Sequence, residues 1–176
     1  METLKAMKTR KSTRSYTGSL SEADLQAVLI AGEAAPIGMG KYEEMHMTVI
    51  RDQELMNEIN ASAAAFFKNP EMVPLYGAPC LILISTKIEN PAMGNVPFSD
   101  AAVMAENMTL MATDIGIGSC LIWGAIAGLN SNPALVEKLG LPEGHTPCCG
   151  VVVGDTTESF VERDIPEDRI TVSYIG

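Results

Sequence analysis

The feature that most constrains the fold is a nearly unbroken apolar run at Cys80–Thr86, Cys-Leu-Ile-Leu-Ile-Ser-Thr. Seven residues is a strand length, and an apolar run without alternation predicts a strand that is covered on both faces. The run at Cys148–Val153 has the same character. A sheet that is buried on both faces needs helices on each side, so the sequence predicts one sheet with helices packed against it.

Helix signals fill the intervals between these strands. Ser21 opens a helix that ends before Pro36, because the residue before a proline avoids the helical region. A long Met-rich helix is predicted from Ser99 or Asp100 to Asp114, and it is apolar on nearly all sides, which predicts burial by more than one neighbour. The remaining predicted elements are a helix at 2–10, helices capped by Asp52 and Asn132, strands at 47–51 and 119–123, a polar loop at 87–98 and an edge strand at 170–175.

Length and composition predict one domain over residues 1–176, with 155–176 as a C-terminal arm. The 176 residues are 47% apolar and 19% charged, which is a globular composition. No run of about 18 uncharged apolar residues is present, so no membrane partner is expected. The mean hydropathy of +0.14 instead predicts apolar surface that is buried against a partner, most simply a second copy of the chain. The net charge of −10 disfavours nucleic acid as a partner.

The cysteines and the N-terminus bear on the cellular compartment. The four cysteines show no Cys-x-x-Cys spacing and lie in apolar runs, where a free thiol behaves as a small hydrophobic group. The N-terminal residues are charged and lack an apolar signal segment. Both observations predict a protein of the reducing cytoplasm.

Familiar catalytic and nucleotide signatures are absent from the sequence. The Gly116–Gly118 segment lacks the third glycine of the dinucleotide fingerprint, Gly40-Lys41 does not complete a P-loop, and Ser119 lacks the glycines of a nucleophile elbow. One ligand-like pair, His145 and Cys148, does not make a metal site, so no metal is expected. With only two histidines available for acid–base chemistry, a cofactor is the simpler source of reactivity.

The most informative segment is Arg10-Lys11-Ser12-Thr13-Arg14-Ser15-Tyr16, because five of the twelve lysines and arginines lie within the first fourteen residues. Arginine guanidinium groups offer planar forks of donors that suit phosphate or carbonyl oxygens, and Ser12 adds a compact donor. The plainer interpretation is a cation-rich helix end whose side chains pair with surface carboxylates.

This Arg-x-Ser-x-Arg run resembles the N-terminal FMN-binding signature of the nitroreductase family. Other segments resemble that family in the same order, from about Lys8 to Gly154. They are Ala34-Ala35-Pro36, Thr48–Asp52, Ala78-Pro79 before a buried strand, Asp100–Ala102 at the start of a long helix, Gly116–Gly124, Leu139–Gly144 and Gly150–Gly154. At residues 40–46 the chain departs from the Asn and Gln-Pro-Trp-like stretch that many members carry.

The resemblance implies an α+β fold of the nitroreductase type, with a central mixed sheet flanked by helices and a C-terminal strand exchanged in a homodimer. Two FMN molecules would lie at the subunit interface, with chemistry centred on the flavin and no catalytic side chain beyond support of the reduced ring by Arg14. Lys68 and Asn69 are left open as further flavin contacts. The implied cofactor-binding residues are Arg10, Lys11, Ser12 and Arg14, then Pro36, Ile37, Gly38 and Gly40 from the partner chain, Leu121, Trp123 and Gly124 along the ring system, and Arg163 as a second cation for the phosphate.

The function implied by the resemblance is an FMN-dependent oxidoreductase that uses NADH or NADPH. It would reduce nitroaromatics, quinones or related small acceptors by ping-pong hydride transfer. Two alternatives stay open at this point. One is an FMN-binding redox sensor or flavin carrier with little turnover, which the unusual stretch at 37–46 motivates. The other is an acidic, Met-rich dimeric binding module without flavin.

Overall fold

A single four-stranded sheet forms the centre of the computed structural model, which describes residues 2–88 and 94–176. The spatial order of the strands is β1-β2-β4-β3, and each neighbouring pair is antiparallel. The longest pairing joins β2 and β4, the two inner strands. The strands are β1 (Met45–Ile50), β2 (Cys80–Lys87), β3 (Gly118–Ile122) and β4 (His145–Gly154).

Six α-helices surround the sheet within the described ranges, and three of them start at side-chain caps that the sequence predicts. The side chains of Ser21, Asp52 and Asn132 accept hydrogen bonds from the first backbone N–H groups of their helices. Two short 3₁₀ turns, Gly38–Gly40 and Tyr42–Glu44, precede β1. The helices are α1 (Thr3–Thr9), α2 (Glu22–Glu33), α3 (Gln53–Phe66), α4 (Asn95–Ile115), α5 (Gly124–Asn130) and α6 (Pro133–Lys138).

The core lies on both faces of the sheet, as the apolar run at Cys80–Thr86 predicts. Ile82 and Ile84 face α2 and α4 on one side, whereas Leu81 and Leu83 face α3 and α5 on the other. All four side chains are fully buried. The α+β class is therefore confirmed, and so is the inner position of this strand.

The expected mixed sheet is not found within this chain, since all three strand pairs are antiparallel. The predicted edge strand at 170–175 also forms no strand here. Instead Ile170, Val172 and Tyr174 are 76%, 65% and 93% exposed. A strand forms only when a partner edge satisfies its backbone groups, and no described residue pairs with residues 170–175 in this way.

Two helix predictions need correction. Helix α4 begins at Asn95 instead of Ser99 or Asp100, because Pro97 lies in the first turn, where its missing N–H leaves no hydrogen bond unmade. Helix α5 is not predicted from the sequence, because it contains two glycines and glycine disfavours a helix. The predicted polar loop at 87–98 is shorter than expected at both ends, and residues 89–93 of it lie outside the described residues.

The C-terminal arm runs back along the N-terminal segment after β4. Gly18 and Asp155 form an isolated antiparallel bridge, and the Arg163 N–H donates to the Lys8 carbonyl at 3.1 Å. Over the described residues, no helix is both long and apolar enough to cross a membrane.

Candidate functional site

The cationic segment after α1 is anchored to the edge of the sheet. Its central residue, Thr13, is buried, and the Thr13 N–H donates to the Ser119 carbonyl of β3 at 2.8 Å. A Cβ added to Gly118 would lie 2.8 Å from Thr13 Cγ2, so the close approach of the two segments requires glycine there. Alternation along an extended segment then directs its neighbours, Ser12 and Arg14, away from Thr13.

Two of the cations pair with carboxylates from distant parts of the chain. Arg10 Nε lies 3.1 Å from Glu106 Oε1 of α4, and Lys11 Nζ lies 2.5 Å from Glu158 Oε2 of the arm. For Arg10 and Lys11 the plainer interpretation, surface pairing, therefore describes what the single chain does. These pairs are partly exposed, so an incoming anion can share or replace the carboxylates at modest cost.

Glu158 also fixes the backbone of the segment. Its Oε1 accepts the N–H groups of Arg14 at 2.9 Å and Ser15 at 3.0 Å. The hydrogen bond from Lys11, followed by that from the Arg14 N–H, holds the pKa of Glu158 below its usual value. One carboxylate thus binds a side chain and two consecutive amides of the segment from Arg10 to Tyr16.

Arg14 differs from the other two cations. Its guanidinium carbon lies 5.5 Å from the centre of the Tyr76 ring, and its Nη1 donates to the Ser12 carbonyl at 3.4 Å. Interaction with the Tyr76 side chain raises the pKa of Arg14. No carboxylate among residues 2–88 and 94–176 lies within ion-pair distance of this guanidinium, so its charge is open to a ligand.

The predicted residues on β3 and α5 lie beside this segment. Leu121 is half-buried in β3, and Trp123, between β3 and α5, is 47% exposed. Gly124 opens α5, and a Cβ there would meet the end of Met72 at 3.1 Å. Ser12 interacts with the thiol of Cys120, and the burial of that thiol raises its pKa. The cationic segment is thus bonded to β3 at Ser119, and Leu121 and Trp123 follow two and four residues further along the chain.

Arg163 reaches the same end of the molecule from the arm. Its Nε donates to the Lys8 carbonyl at 2.8 Å and its Nη2 to the Met7 carbonyl at 3.1 Å. These carbonyls belong to the last turn of α1, two and three residues before Arg10. The structure thus brings Arg163 close to the cationic segment, although its donors are used by the backbone in this chain.

The second predicted group, Pro36, Ile37, Gly38 and Gly40, lies elsewhere. The Gly38 N–H donates to Asp100 Oδ1 at 3.1 Å, near the start of α4 and next to β1. Gly38 therefore contacts the same helix as Arg10, whose partner Glu106 lies six residues after Asp100 on α4. A cleft of about 350 Å³ on this side is lined in part by Ile37, Tyr42 and Met104. Within residues 2–88 and 94–176, no hydrogen bond or ion pair joins residues 36–40 to the cationic segment.

Three residues that the sequence analysis did not single out shape the site: Tyr76, Glu106 and Glu158. Glu106 and Glu158 are separated from their partners by about a hundred residues or more, and no local pattern signals such pairs. Tyr76 directly precedes Gly77, a few residues before the buried strand at Cys80. This position beside a turn glycine is the sequence signal that could have identified Tyr76. Within the two described ranges there is no cluster of three or more potential metal ligands.

Comparison with known proteins agrees with this geometry. A sequence model of the family described as "Nitroreductase family" matches residues 7–155. A nitroreductase with bound FMN from Desulfitobacterium hafniense DCB-2 is 26% identical, with 99% of each chain covered and a TM-score of 0.83. A second nitroreductase with bound FMN, from Bacteroides fragilis NCTC 9343, is 29% identical over 99% of this chain and 100% of that one, with a TM-score of 0.81.

A curated relative is named for a reaction with NADPH. The FMN reductase (NADPH) of Bacillus subtilis strain 168 is 24% identical over 168 residues, which are 86% of this chain and 65% of that protein. The structure has helices on both faces of an antiparallel sheet and a cationic segment at one sheet edge. These features and the comparisons define the class of protein. The chain belongs to the nitroreductase family.

Proposed function

We propose that this chain is an FMN-dependent oxidoreductase that uses NAD(P)H to reduce nitroaromatics, quinones or related small acceptors by a ping-pong reaction. The observation that carries the proposal is the Arg-x-Ser-x-Arg segment, anchored to β3 with the Arg14 guanidinium free of any carboxylate partner in the described chain. Its family membership and its FMN-containing structural relatives support the same conclusion.

The donor set at the β3 edge fits FMN. A phosphate requires cations and hydroxyl or amide donors, and Arg10, Lys11 and Ser12 supply them within three residues. A flavin ring requires apolar contact, which the half-exposed Trp123 and Leu121 provide. Arg163, beside the last turn of α1, is the second cation proposed for the phosphate.

The chemistry that FMN supplies when bound is the transfer of two electrons from NAD(P)H to a second small molecule at one site. Arg14 would bind the pyrimidine part of this group, which carries added negative charge in its reduced form. Arg14 holds positive charge at a fixed place on the protein surface, where it stabilises that negative charge without solvent reorganisation. Trp123 and Leu121 exclude water from one side of the site. No side chain has to act as a catalytic acid or base.

The direct test is colour followed by turnover. We expect purified protein, reconstituted with FMN, to absorb at about 450 nm as bound flavin does and to oxidise NADH or NADPH when menadione or a nitroaromatic is added. A yellow protein without turnover would favour the redox sensor or flavin carrier instead. A protein that stays colourless after FMN is added would refute both and leave the flavin-free binding module.

We propose further that the active form is a homodimer with the C-terminal strand exchanged. The support is membership of the nitroreductase family and the mean hydropathy of the chain, which predicts apolar surface buried against a second copy. The arm ends in an exposed alternating apolar sequence from Ile170 to Ile175.

The four free, buried cysteines suit the reducing cytoplasm, which we propose as the compartment.

Sedimentation tests the dimer. At low micromolar concentration we expect a single species of twice the chain mass of 18.8 kDa. Replacing both Ile170 and Val172 by Asp should shift the protein to monomer, because each would bury an unpaired carboxylate against the partner. Thr171→Asp is the matched control, since Thr171 lies between them and faces the other way along the predicted strand. A wild-type monomer at these concentrations would contradict the two-chain site.

A further inference from the structure

Tyr76 is held in a backbone conformation that tyrosine rarely adopts. Its φ is +55°, in the left-handed region, and Gly77 follows at +68°. A residue other than glycine remains in that region only where its surroundings determine it, and such positions occur often at functional sites. The tyrosine therefore calls for an explanation in terms of what its side chain contacts.

The surroundings of Tyr76 do determine its conformation. The Leu75 N–H donates to Asn60 Oδ1 at 3.0 Å, and the Tyr76 N–H donates to the Val73 carbonyl at 3.0 Å. The Ala78 N–H donates to the Leu75 carbonyl at 3.0 Å, and both Leu75 and Ala78 are fully buried. The turn before β2 is thus fixed on either side of Tyr76 and by α3 beneath it.

The result of this turn is the placement of the Tyr76 ring against Arg14. The guanidinium carbon lies 5.5 Å from the ring centre, within the range of a cation–π contact. A hydrogen-bond interaction with the Tyr76 side chain also raises the pKa of Arg14. The only other partner of the guanidinium in the described chain is the Ser12 carbonyl at 3.4 Å, a long hydrogen bond.

The backbone of Arg14 is fixed by other groups. Glu158 accepts its N–H, and the neighbouring Thr13 N–H binds β3. Loss of Tyr76 would therefore leave the segment in place but free the Arg14 side chain, whose rotamer entropy is among the largest of any residue. Tyr76 acts on the direction of the guanidinium and not on the course of the chain.

We propose that Tyr76 is a positioning residue that aims Arg14 at the pyrimidine edge of the flavin and so raises the preference of the protein for reduced over oxidised FMN. This inference rests on the proposed function. An arginine that is already oriented interacts continuously with the added negative charge of the reduced ring. A mobile arginine spends only part of its time in that position, so its average electrostatic stabilisation is smaller. The oxidised ring, which lacks that charge, gains less from the same orientation.

The test is the ratio of the dissociation constants for oxidised and reduced FMN, measured by anaerobic titration. Tyr76→Leu should lower the preference for reduced FMN about tenfold, which corresponds to a two-electron potential about 30 mV lower. Tyr76→Phe keeps the ring face and loses only the hydroxyl, so it should lower the preference two- to threefold and serves if Tyr76→Leu does not fold.

A double-mutant cycle separates positioning from a merely structural role. In the Arg14→Ala background, Tyr76→Leu should leave the ratio unchanged, because the group that it orients is gone. The proposal would be contradicted if Tyr76→Leu changed the ratio of the two dissociation constants equally with and without Arg14. It would also be contradicted if the wild-type chain bound FMN and Tyr76→Leu left that ratio unchanged. Failure of the wild-type chain to bind FMN would instead refute the proposed function itself, and this inference with it.

Discussion

Replacing Gly128 by alanine is expected to destabilise the chain by about 2 kcal/mol or more, although alanine normally stabilises a helix. A Cβ at Gly128 would lie 2.6 Å from the backbone nitrogen of Ala63 in α3 and closer still to its Cα. Backbone atoms cannot rotate away as a side chain can, so α3 and α5 must separate. Overpacking of this kind costs about 3 kcal/mol at the upper end of the usual range, which outweighs the gain of about 1 kcal/mol in helix propensity.

Urea unfolding followed by circular dichroism measures this loss. The matched control is Gly124→Ala on the same helix, where the added Cβ meets the flexible end of Met72 at 3.1 Å and the Phe67 ring at an ordinary contact distance of 3.7 Å. That variant should change the free energy of unfolding by less than about 1 kcal/mol. Equal stability of the Gly128→Ala variant and the wild-type chain would show that α3 and α5 do not approach each other so closely. Because α5 begins at Gly124, their spacing also sets where Trp123 stands.

The parts of the fold that the sequence predicts correctly have local causes. The caps at Ser21, Asp52 and Asn132 act within three residues, and each forms the predicted hydrogen bond. The buried run at Cys80–Thr86 needs no knowledge of its neighbours to be recognised as an inner strand. The cationic segment at Arg10–Arg14 is likewise visible as an excess of charge over a few residues.

The parts that the sequence does not predict depend on distant contacts. Helix α5 contains Gly128 because it packs against Ala63 of α3, and that contact is invisible in a local window. Tyr76 and Arg14 contact each other although 62 positions separate them in the sequence. The charge at the site also depends on Glu106 and Glu158. Local sequence spacing cannot show that they pair with Arg10 and Lys11. Local chemistry thus locates the site, and tertiary contacts determine how its groups are held.

Replacing Arg14 by alanine is expected to weaken FMN binding by about 1.5–3 kcal/mol, or roughly 10- to 150-fold, the range for hydrogen bonds to charged groups. The guanidinium is the one cation of the segment without a carboxylate partner in the described chain, so a flavin binds it without displacing a carboxylate. Titration of FMN fluorescence measures the change. Arg51→Ala is the matched control, because Arg51 lies after β1 and pairs with Glu22. It should leave FMN affinity within about twofold.

Arg10→Ala extends this test to the phosphate. Its expected loss of affinity has two parts, the missing guanidinium and the carboxylate of Glu106, which would then face the phosphate without its partner. Glu106→Gln in the Arg10→Ala background should therefore restore part of the affinity, whereas the same change in the Arg14→Ala background should not. Full flavin occupancy in both arginine variants would refute the assignment of this segment to FMN. Partial recovery confined to the Arg10→Ala background would show that Arg10 must balance Glu106 as well as bind the anion.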